Sequence, residues 1–465
     1  MVKLFFYPKS IAIIGATEDS KKFGNAVTSN LVRNPKLTAK IYPVSRSSST
    51  ILGLPAYPSI LKVPEPVDLA LILVPAKYVP QVVDDCIQKQ VKRIIIVTAG
   101  FGEVSKEGKE IERVIAEKCR QAGIRLIGPN CVGIQNVEIG MNASFIQYPL
   151  PGKISMVSQS GSFGCAIMDG LKWNDLGMSK FANIGNAVDV SFDEIIQYFH
   201  KDPDSQVVAI YLESVSDGKA FYRVMKEIAP DKPTVVLKGG RTAAGMAAAG
   251  SHTGSLASNY RVLKAAVEQA GGIICEDIED YITTLKTFSL LPLPQGKKIG
   301  VLTNSGGAGV LYSDSAEELG LKLAEFSPHL KNKLKPLVID LVQIVNPLDM
   351  IAGANDENYY QVTKAMLEED SGIDIVIACG VYPPFLGMTF ERNLQGMIRA
   401  WDETGRKKPL IPLLVFGSGY EKVKEVANRE RVPVYSSPHE AAFATKVLIQ
   451  RWNVLNRKKN IKSFN

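Results

Sequence analysis

The stretch KISMVSQSGSFG (153–164) combines a short strand-like run with a glycine-rich turn and the start of a helix. The stretch KIGVLTNSGGAG (298–309) matches it without gaps, as strand, small polar residue, amide, Ser-Gly and helix start. An N-x-x-D pattern follows each of them, beginning at Asn186 and at Asn346. This repetition predicts that the later part of the chain contains two distantly related domains, each built on a strand–turn–helix unit.

Elsewhere the chain alternates short β-branched runs with amphipathic segments of about 10–15 residues, which is typical of βαβ units and parallel sheets. The predicted strands are 11–15, 39–44, 68–74, 93–100 and 124–128, then 153–158, 180–185, 207–213 and 234–240, then 298–304, 373–380, 409–417 and 432–437. The polar connection 136–152 and the Pro-rich linker 290–296 separate these three sets. The predicted fold class is therefore α/β, with three doubly wound domains at residues 1–140, 141–290 and 291–465.

Composition narrows the class of protein. A chain of 465 residues is too long for one hydrophobic core, and 46% hydrophobic and 22% charged residues are typical of a globular protein. The net charge of +7 comes from scattered Lys and Arg residues, which argues against nucleic-acid binding and suits a polyanionic ligand such as a nucleotide or coenzyme A. Six widely spaced cysteines without a CxxC pair argue against a zinc site or a disulfide framework. No signal peptide and no apolar run of membrane-spanning length is recognised, so we predict a cytoplasmic protein.

The first predicted strand runs into a turn at Gly15, and Gly24 follows nine residues later. Such a turn can place the free N–H groups of a helix N-terminus against a phosphate. The pattern is not the GxGxxG of dinucleotide-binding proteins, and Ser45 and Arg46 stand where a ribose-binding carboxylate would be expected. The motif therefore favours a phosphorylated nucleotide over NAD, while a purely structural strand–helix turn remains the alternative.

The loops 74–78, 98–103 and 128–133 follow the third, fourth and fifth predicted strands at their carboxyl ends, where doubly wound sheets bind ligands. Together with the first turn they supply the candidate cofactor-binding residues Gly15, Ala16, Thr17, Ser45, Arg46, Val74, Pro75, Ala76, Thr98, Gly100, Asn130 and Cys131. Cys131 could act as a nucleophile, but no histidine lies nearby in the sequence, and a small buried thiol is the favoured interpretation.

The two glycine-rich turns can each direct backbone N–H groups and a helix dipole at an anion. Their candidate phosphate-binding residues are Gln159, Ser160, Gly161, Ser162, Asn304, Ser305, Gly306 and Gly307. Two matching turns in one chain predict that one phosphoryl group is held from two sides, which suits phosphoryl transfer. The Walker pattern GxxxxGK[ST] is absent from the sequence, so neither turn is predicted to be a nucleoside-triphosphate P-loop.

His252 lies in the run GMAAAGSHTGSL (245–256), among glycine, alanine, serine and threonine. The small residues predict unusual backbone freedom and little packing, which suits a phosphoryl carrier better than a rigid general base. A carrier needs a partner, usually a carboxylate, on its second ring nitrogen. Glu213, at the end of the strand 207–213, is the candidate in the same predicted domain. A solvent-exposed loop histidine without a role remains the alternative.

The order of these motifs resembles that of the alpha subunits of ADP-forming acetyl-CoA synthetases (NDP-forming acyl-CoA synthetases), within the succinyl-CoA synthetase superfamily. AAGSHTGSLA looks like the phosphohistidine loop of that family. IAIIGAT, LVPAKYVP, GFGE and GPNCVGI look like parts of its CoA-binding domain. VSQSGSFG, YLES and TNSGGAGV with NPLDM complete the order, so the resemblance covers essentially the whole chain.

The resemblance implies a Rossmann-like CoA-binding domain followed by two flavodoxin-like ligase domains. It also implies conversion of acyl-CoA, ADP and phosphate to carboxylate, ATP and CoA, through an acyl phosphate and a phosphohistidine at His252 that Glu213 steadies. The turns at Ser160 and Ser305 would hold the phosphate of that histidine. The implied substrates are acetyl-CoA, inorganic phosphate and ADP or ATP with Mg²⁺ at the partner's site.

No ATP-grasp segment is recognised in the sequence, so the resemblance further implies a separate ATP-grasp beta subunit, in an alpha2beta2 or similar assembly. Two other classes stay open. A non-catalytic CoA-sensing module is disfavoured by His252, and a Rossmann dehydrogenase is disfavoured by the missing GxGxxG. Which acyl group is used, and whether ADP or GDP is preferred, does not follow from the sequence.

Overall fold

Two compact units, Met1–Ile278 and Glu279–Asn465, make up the chain. The computed structural model describes residues 2–215, 217–247, 259–381, 389–415 and 420–462. None of the helices in these ranges combines the length and the apolar character that a membrane crossing needs. The exact domain bounds 1–140, 141–290 and 291–465 remain a prediction.

The first unit begins with a parallel α/β layer. In chain order its elements are α1 (Lys3–Phe6), β1 (Ser10–Ile14), α2 (Phe23–Val32), β2 (Lys40–Val44), β3 (Thr50–Ile51), β4 (Leu54–Pro55), β5 (Leu69–Ile72), α3 (Val79–Gln88), β6 (Arg93–Ile96), α4 (Lys106–Gln121) and β7 (Arg125–Ile127). The parallel sheet has the order β2-β1-β5-β6-β7, and β3 and β4 form a small antiparallel hairpin. Strands β1, β5 and β6 are buried along their whole length, which explains why they are apolar apart from Ser10 and Arg93 at the starts of β1 and β6.

A second sheet completes the first unit. Its elements are β8 (Gly133–Asn136), β9 (Met141–Ser144), β10 (Pro151–Ser158), α5 (Gly161–Trp173), β11 (Met178–Asn183), α6 (Phe192–Lys201), β12 (Val207–Leu212), α7 (Gly218–Ile228), β13 (Thr234–Lys238), α8 (Tyr260–Gln269) and β14 (Ile273–Cys275). In the part of the unit that the structure describes, seven strands pair in the order β14-β13-β12-β10-β11-β8-β9.

The prediction of a simple polar connection over 136–152 is wrong. Strand β8 pairs antiparallel with β11, and β9 pairs antiparallel with β8. The polar side chains of Asn142 and Ser144 in this connection are buried and bind Gln135 of β8. Nε2 of Gln135 donates to Oδ1 of Asn142 at 3.1 Å and to Oγ of Ser144 at 3.0 Å. A buried polar network of this kind lets a strand carry a loop-like sequence.

The second unit is built around a parallel sheet with the order β16-β15-β17-β18. Its elements are α9 (Ile278–Leu290), β15 (Ile299–Thr303), α10 (Gly306–Glu318), α11 (Pro328–Leu334), β16 (Leu348–Asp349), α12 (Asp356–Leu367), β17 (Ile375–Gly380), α13 (Phe390–Glu403), β18 (Leu410–Leu414), α14 (Tyr420–Glu430) and α15 (Pro438–Lys462). The predicted strand 432–437 is wrong: it makes one isolated bridge, between Tyr435 and Leu413. Pro433 lacks the N–H that a strand ladder needs, which is consistent with this result.

The strand order β13-β12-β10-β11 of the first unit recurs as β18-β17-β15-β16 in the second, which supports the predicted relation of the two stretches. The N-x-x-D patterns, however, are not equivalent. Asn186 follows β11, whereas Asn346 precedes β16. The residues that occupy matching positions are Asn183 and Asp349, the last residues of β11 and β16, whose side chains approach the first glycine of the adjacent helix.

Candidate active site

A cavity in the first unit, called the large cavity below, has a volume of about 1080 Å³ and lies at the carboxyl ends of β1, β2, β5 and β6. Its lining brings together most of the predicted binding residues, namely Gly15, Ala16, Thr17, Ser45, Arg46, Val74, Pro75, Thr98, Asn130, Cys131, Gln159, Ser160, Gly161 and Ser162. Ala76 and Gly100 are outside this lining and lie next to each other. The cavity therefore connects the first sheet's loops with a glycine-rich turn of the second sheet.

The first turn depends on two glycines in close contact. Gly15 has a φ of +102°, and a Cβ there would lie 3.0 Å from the Leu73 carbonyl group. A Cβ at Gly24 would lie only 2.0 Å from the Gly15 carbonyl oxygen. Gly24 therefore lets α2 approach the turn after β1, and Gly15 lets the same turn approach the end of β5.

Positive charge lines the same end of the large cavity. Lys21, Lys22 and Arg46 belong to the lining, with Asp85 as the acidic residue among them. The Arg46 guanidinium lies 5.9 Å from the centre of the Tyr78 ring, which also lines the cavity. Sequence reasoning selected Arg46 and overlooked the two lysines, although they stand between Gly15 and Gly24 in the same turn.

Cys131 is a buried thiol. Its side chain is 4% exposed, and its Sγ donates to the Ile96 carbonyl oxygen at 3.3 Å. Burial raises the pKa of this thiol to about 12. A thiol that stays protonated at neutral pH is a poor nucleophile, so the structure favours the structural interpretation of this residue.

The first glycine-rich turn, called the Ser160 turn (residues 159–162), caps helix α5. Oγ of Ser160 accepts a hydrogen bond from the N–H of Phe163 at 3.3 Å. A Cβ at Gly161 would lie 2.3 Å from Cγ1 of Val132, so the helix start packs directly on the end of the first sheet's last loop. The N-terminus of this 13-residue helix thus lies at the wall of the large cavity, where it can stabilise an anion.

Gln159 ties the Ser160 turn to the end of β12. Its Oε1 accepts from the N–H groups of Glu213 at 2.7 Å and Ser214 at 3.0 Å. Its Nε2 donates to Oγ of Ser214 at 3.1 Å. The amide therefore fixes the backbone of Glu213, the candidate partner of the histidine.

Glu213 is held in a buried polar setting, with 8% of its surface exposed. The Tyr211 hydroxyl donates to its Oε1 at 3.3 Å, and Nζ of Lys238 donates to its carbonyl oxygen at 2.6 Å. Burial lowers the pKa of Lys238. Gln159 and Lys238 thus hold the backbone of Glu213, and Tyr211 contacts its carboxylate.

A second cavity of about 210 Å³, the small cavity, lies beside Glu213. Asn186 and Asp217 also contribute to its lining. Asn130 and Gln159 line both cavities, so these two residues separate the large cavity from the Glu213 side of the site.

His252 lies outside the described residues. Two other histidines, His200 and His329, each lie close to an aspartate. Nε2 of His200 lies 3.1 Å from Oδ2 of Asp231, and Nε2 of His329 lies 3.0 Å from Oδ2 of Asp370. Both are surface pairs outside the lining of the two cavities.

The second glycine-rich turn, called the Ser305 turn (residues 304–307), precedes helix α10 in the second unit. Oδ1 of Asn304 accepts from the Val381 N–H, and its Nδ2 donates to the Val381 carbonyl oxygen, both at 2.9 Å. A Cβ at Gly306 would lie 3.0 Å from Oδ2 of Asp349.

Comparisons with known sequences identify three successive domains. A sequence model described as a CoA binding domain matches residues 9–137. A succinyl-CoA ligase like flavodoxin domain matches residues 151–288, and a ligase-CoA domain matches residues 299–457. These matches agree with the predicted order of domain types.

Known proteins are similar to this chain over nearly its whole length. The chain is 38% identical to the alpha subunit of the ADP-forming acetate–CoA ligase II of Pyrococcus furiosus, over 97% of this chain and 98% of that one. It is 36% identical to the ADP-forming acetate–CoA ligase I of Archaeoglobus fulgidus, over 98% of this chain and 64% of that one. Among solved structures, it resembles an acetyl-coenzyme A synthetase 1 of Ca. Korarchaeum cryptofilum in complex with phosphate and ADP, with a TM-score of 0.94, 31% identity, and coverage of 100% and 99% of the two chains.

Proposed function

Because the chain belongs to the family of alpha subunits of ADP-forming acetate–CoA ligases, we propose that it cleaves a bound acyl-CoA with phosphate and carries the phosphoryl group to a partner subunit. The observation that carries this proposal is the large cavity. It joins the loops of a CoA-binding sheet to the N-terminus of α5 without a break. A thioester and a phosphate can therefore meet in one place.

The large cavity suits CoA in size and charge. Its volume of about 1080 Å³ is slightly above the range of about 300–1,000 Å³ that ligand sites occupy, as expected for a large ligand. Lys21, Lys22 and Arg46 can neutralise phosphates at one end. The glycine turn at Gly15 allows close approach of a phosphate to the backbone.

Thioester cleavage would occur at the Ser160 turn. A phosphate oxygen attacks the thioester carbonyl carbon, the C–S bond breaks, and CoA leaves as the thiolate while an acyl phosphate forms. The N–H groups at the start of α5 would stabilise the added negative charge, as donors aimed at a developing oxyanion do. Cys131, protonated and hydrogen-bonded to Ile96, contributes to the wall of this site and does not react.

His252 would then accept the phosphoryl group. One ring nitrogen attacks phosphorus, the P–O bond to the acyl oxygen breaks, and the carboxylate is released. Glu213 would accept the N–H of the other ring nitrogen and so fix the tautomer. Two hydrogen bonds support this role, since Gln159 holds the backbone of Glu213 and the Tyr211 hydroxyl donates to its carboxylate.

The nucleoside diphosphate would bind to a separate subunit. The Pyrococcus relative is named as an alpha subunit, which implies a partner. The Archaeoglobus relative extends beyond the match, because the chain covers only 64% of it. We infer an ATP-grasp beta subunit that binds ADP with Mg²⁺, in an alpha2beta2 or similar assembly.

The test is protein phosphorylation. The chain is incubated with acetyl-CoA, radiolabelled phosphate and Mg²⁺, with and without the partner subunit. We expect acid-labile, base-stable label that His252→Ala abolishes and Glu213→Gln reduces by about 100-fold, as loss of one aligned electrostatic contact does. The matched control is His329→Ala, which removes an exposed histidine from the second unit and should keep the label.

Two outcomes contradict the proposal. Equal labelling of wild type and His252→Ala rules out the histidine as carrier. Tight CoA binding without any label, even with the partner present, would support the alternative of a CoA-sensing module.

A further inference from the structure

Asn130 and Gln159 line both cavities, so they separate the expected thioester site from the site beside Glu213. Gln159 is fixed by the end of β12. Asn130 receives its support from a different loop, through the side chain of Asn186, which follows β11.

The backbone of Asn130 is packed against the loop that contains Asn186. Asn130 has a φ of +57°, and its N–H donates to the Thr98 carbonyl oxygen at 2.9 Å. A Cβ at Gly185 would lie 2.3 Å from the Asn130 carbonyl oxygen, so glycine is required there. The N–H of Asn186 donates to the Pro129 carbonyl oxygen at 3.0 Å. The two loops are therefore in direct backbone contact.

The side-chain amide of Asn186 has one orientation, because two carboxylates face its nitrogen. Its Nδ2 donates to Oε2 of Glu103 at 2.7 Å and to Oε2 of Glu112 at 2.9 Å. A flipped amide would turn its oxygen towards both carboxylates and lose two charge-assisted hydrogen bonds. Its Oδ1 consequently accepts from Nδ2 of Asn130 at 3.3 Å.

The two carboxylates are themselves fixed by the loop that follows β6. Burial opposes the ionisation of Glu103, but hydrogen bonds from the N–H of Gly100 and from Asn186 outweigh it and lower the pKa. Burial raises the pKa of Glu112, whose Oε2 also accepts from the N–H of Gly102 at 3.2 Å. Asn186 thus places the positive end of an amide dipole between two like charges.

We propose that Asn186 is a positioning residue of this enzyme. Glu103 and Glu112 fix the orientation of its amide, and Asn186 in turn fixes the orientation of the Asn130 amide between the two cavities. The inference rests on the proposed function, since the thioester and the histidine are expected on either side of Asn130. Asn186 touches no reacting atom. Its loss therefore misorients Asn130 and slows the reaction without removing any chemical group that reacts.

A double-mutant cycle tests the donor–acceptor order of this network in the complete ligase with its partner subunit. Asn186→Asp places a third carboxylate against Glu103 and Glu112, and Glu103→Gln places one amide nitrogen against another. Each single variant should lower kcat by about 10- to 100-fold, as small misplacements in an active site do. In the double variant the glutamine amide can donate to the aspartate, its oxygen can keep the Gly100 N–H, and the formal charge of the three residues is unchanged. Because the aspartate still faces Glu112, we expect partial recovery, with kcat at least about threefold above that of Asn186→Asp.

The matched control is Glu194→Gln. Glu194 lies on α6, accepts two hydrogen bonds from Arg125 at 2.7 and 2.8 Å, and lines neither cavity. The Glu194→Gln variant should have a slightly lower Tm and unchanged kcat and KM for acetyl-CoA. If both single variants behave like this control, or if the double variant does not recover, Asn186 has only a structural role.

Failure of the proposed function has a separate signature, since wild-type protein would then form no labelled histidine. The affinity for acetyl-CoA, measured by calorimetry, does not depend on turnover. If it is equal in wild type, both single variants and the double variant while kcat shows no recovery, the positioning role is overturned on its own.

Discussion

The Ser160 turn of the first unit and the Ser305 turn of the second are built in the same way. Each follows a central parallel strand, starts a 13-residue helix and carries an amide side chain that binds the end of the neighbouring strand. In the first unit Gln159 binds the backbone of Glu213. In the second unit Asn304 binds the backbone of Val381.

The difference lies in what the amide holds. The same backbone contact places a buried glutamate beside the Ser160 turn and a valine beside the Ser305 turn. A helix N-terminus alone can bind an anion, but a phosphorylated histidine also needs an acceptor for its second nitrogen. Among the described residues, the first unit supplies both features at its turn, and this favours it as the place of the covalent chemistry.

The largest expected effect comes from breaking the amide contact in the first unit. Gln159→Leu removes the shared acceptor of the Glu213 and Ser214 N–H groups, which costs about 1–3 kcal/mol for each buried donor that loses it. Displacement of Glu213 should lower the rate of protein phosphorylation by about 100-fold.

The matched variant is Asn304→Leu, which removes one acceptor and one donor from Val381. Hydrogen exchange should accelerate at Glu213 and Ser214 in the first variant and at Val381 in the second. The loss of phosphorylation should be at least tenfold smaller in Asn304→Leu, because no carboxylate is displaced. Equal losses would show that the two turns are chemically equivalent.

These contacts also show how far the sequence predicts the structure. Apolar runs predicted nearly every parallel strand, because a strand buried on both faces must be continuously apolar. The amide of Gln159 was selected only as part of a turn. Its role depends on the backbone of Glu213, 54 positions away, and no local pattern carries that information.

The N-x-x-D patterns illustrate the opposite error. They suggested equivalent positions at Asn186 and Asn346, but Asn346 holds its own unit together, with Oδ1 accepting from the Val301 N–H at 3.0 Å. Asn186 instead bridges Glu103 and Glu112. Identical spacing in sequence therefore does not imply identical positions when the flanking strands differ in length.

A smaller effect is expected from adding a methyl group at the first glycine of each helix. In Gly161→Ala the Cβ would lie 2.3 Å from Cγ1 of Val132, so the packing must shift at a cost of about 1–3 kcal/mol. In Gly306→Ala the nearest atom is a terminal oxygen of Asp349 at 3.0 Å, which can move aside, so we expect a change below about 1 kcal/mol. Hydrogen exchange of α5 and α10 measures both local unfolding free energies. A larger loss at Gly306 would contradict the packing difference.

The smallest effect distinguishes the two serines. Oγ of Ser160 accepts from the Phe163 N–H, whereas Ser305 makes no such side-chain cap to the first turn of α10. Ser160→Ala should therefore lower the local unfolding free energy of α5 by about 1 kcal/mol, as removal of an N-cap acceptor does. Ser305→Ala should change the local unfolding free energy of α10 by no more than about 0.3 kcal/mol. The same exchange measurement compares them, with Ser160→Thr as the variant that retains the acceptor. Equal destabilisation by the two alanines would mean that the Ser305 hydroxyl caps its helix in solution, and the two turns would then be alike in this respect as well.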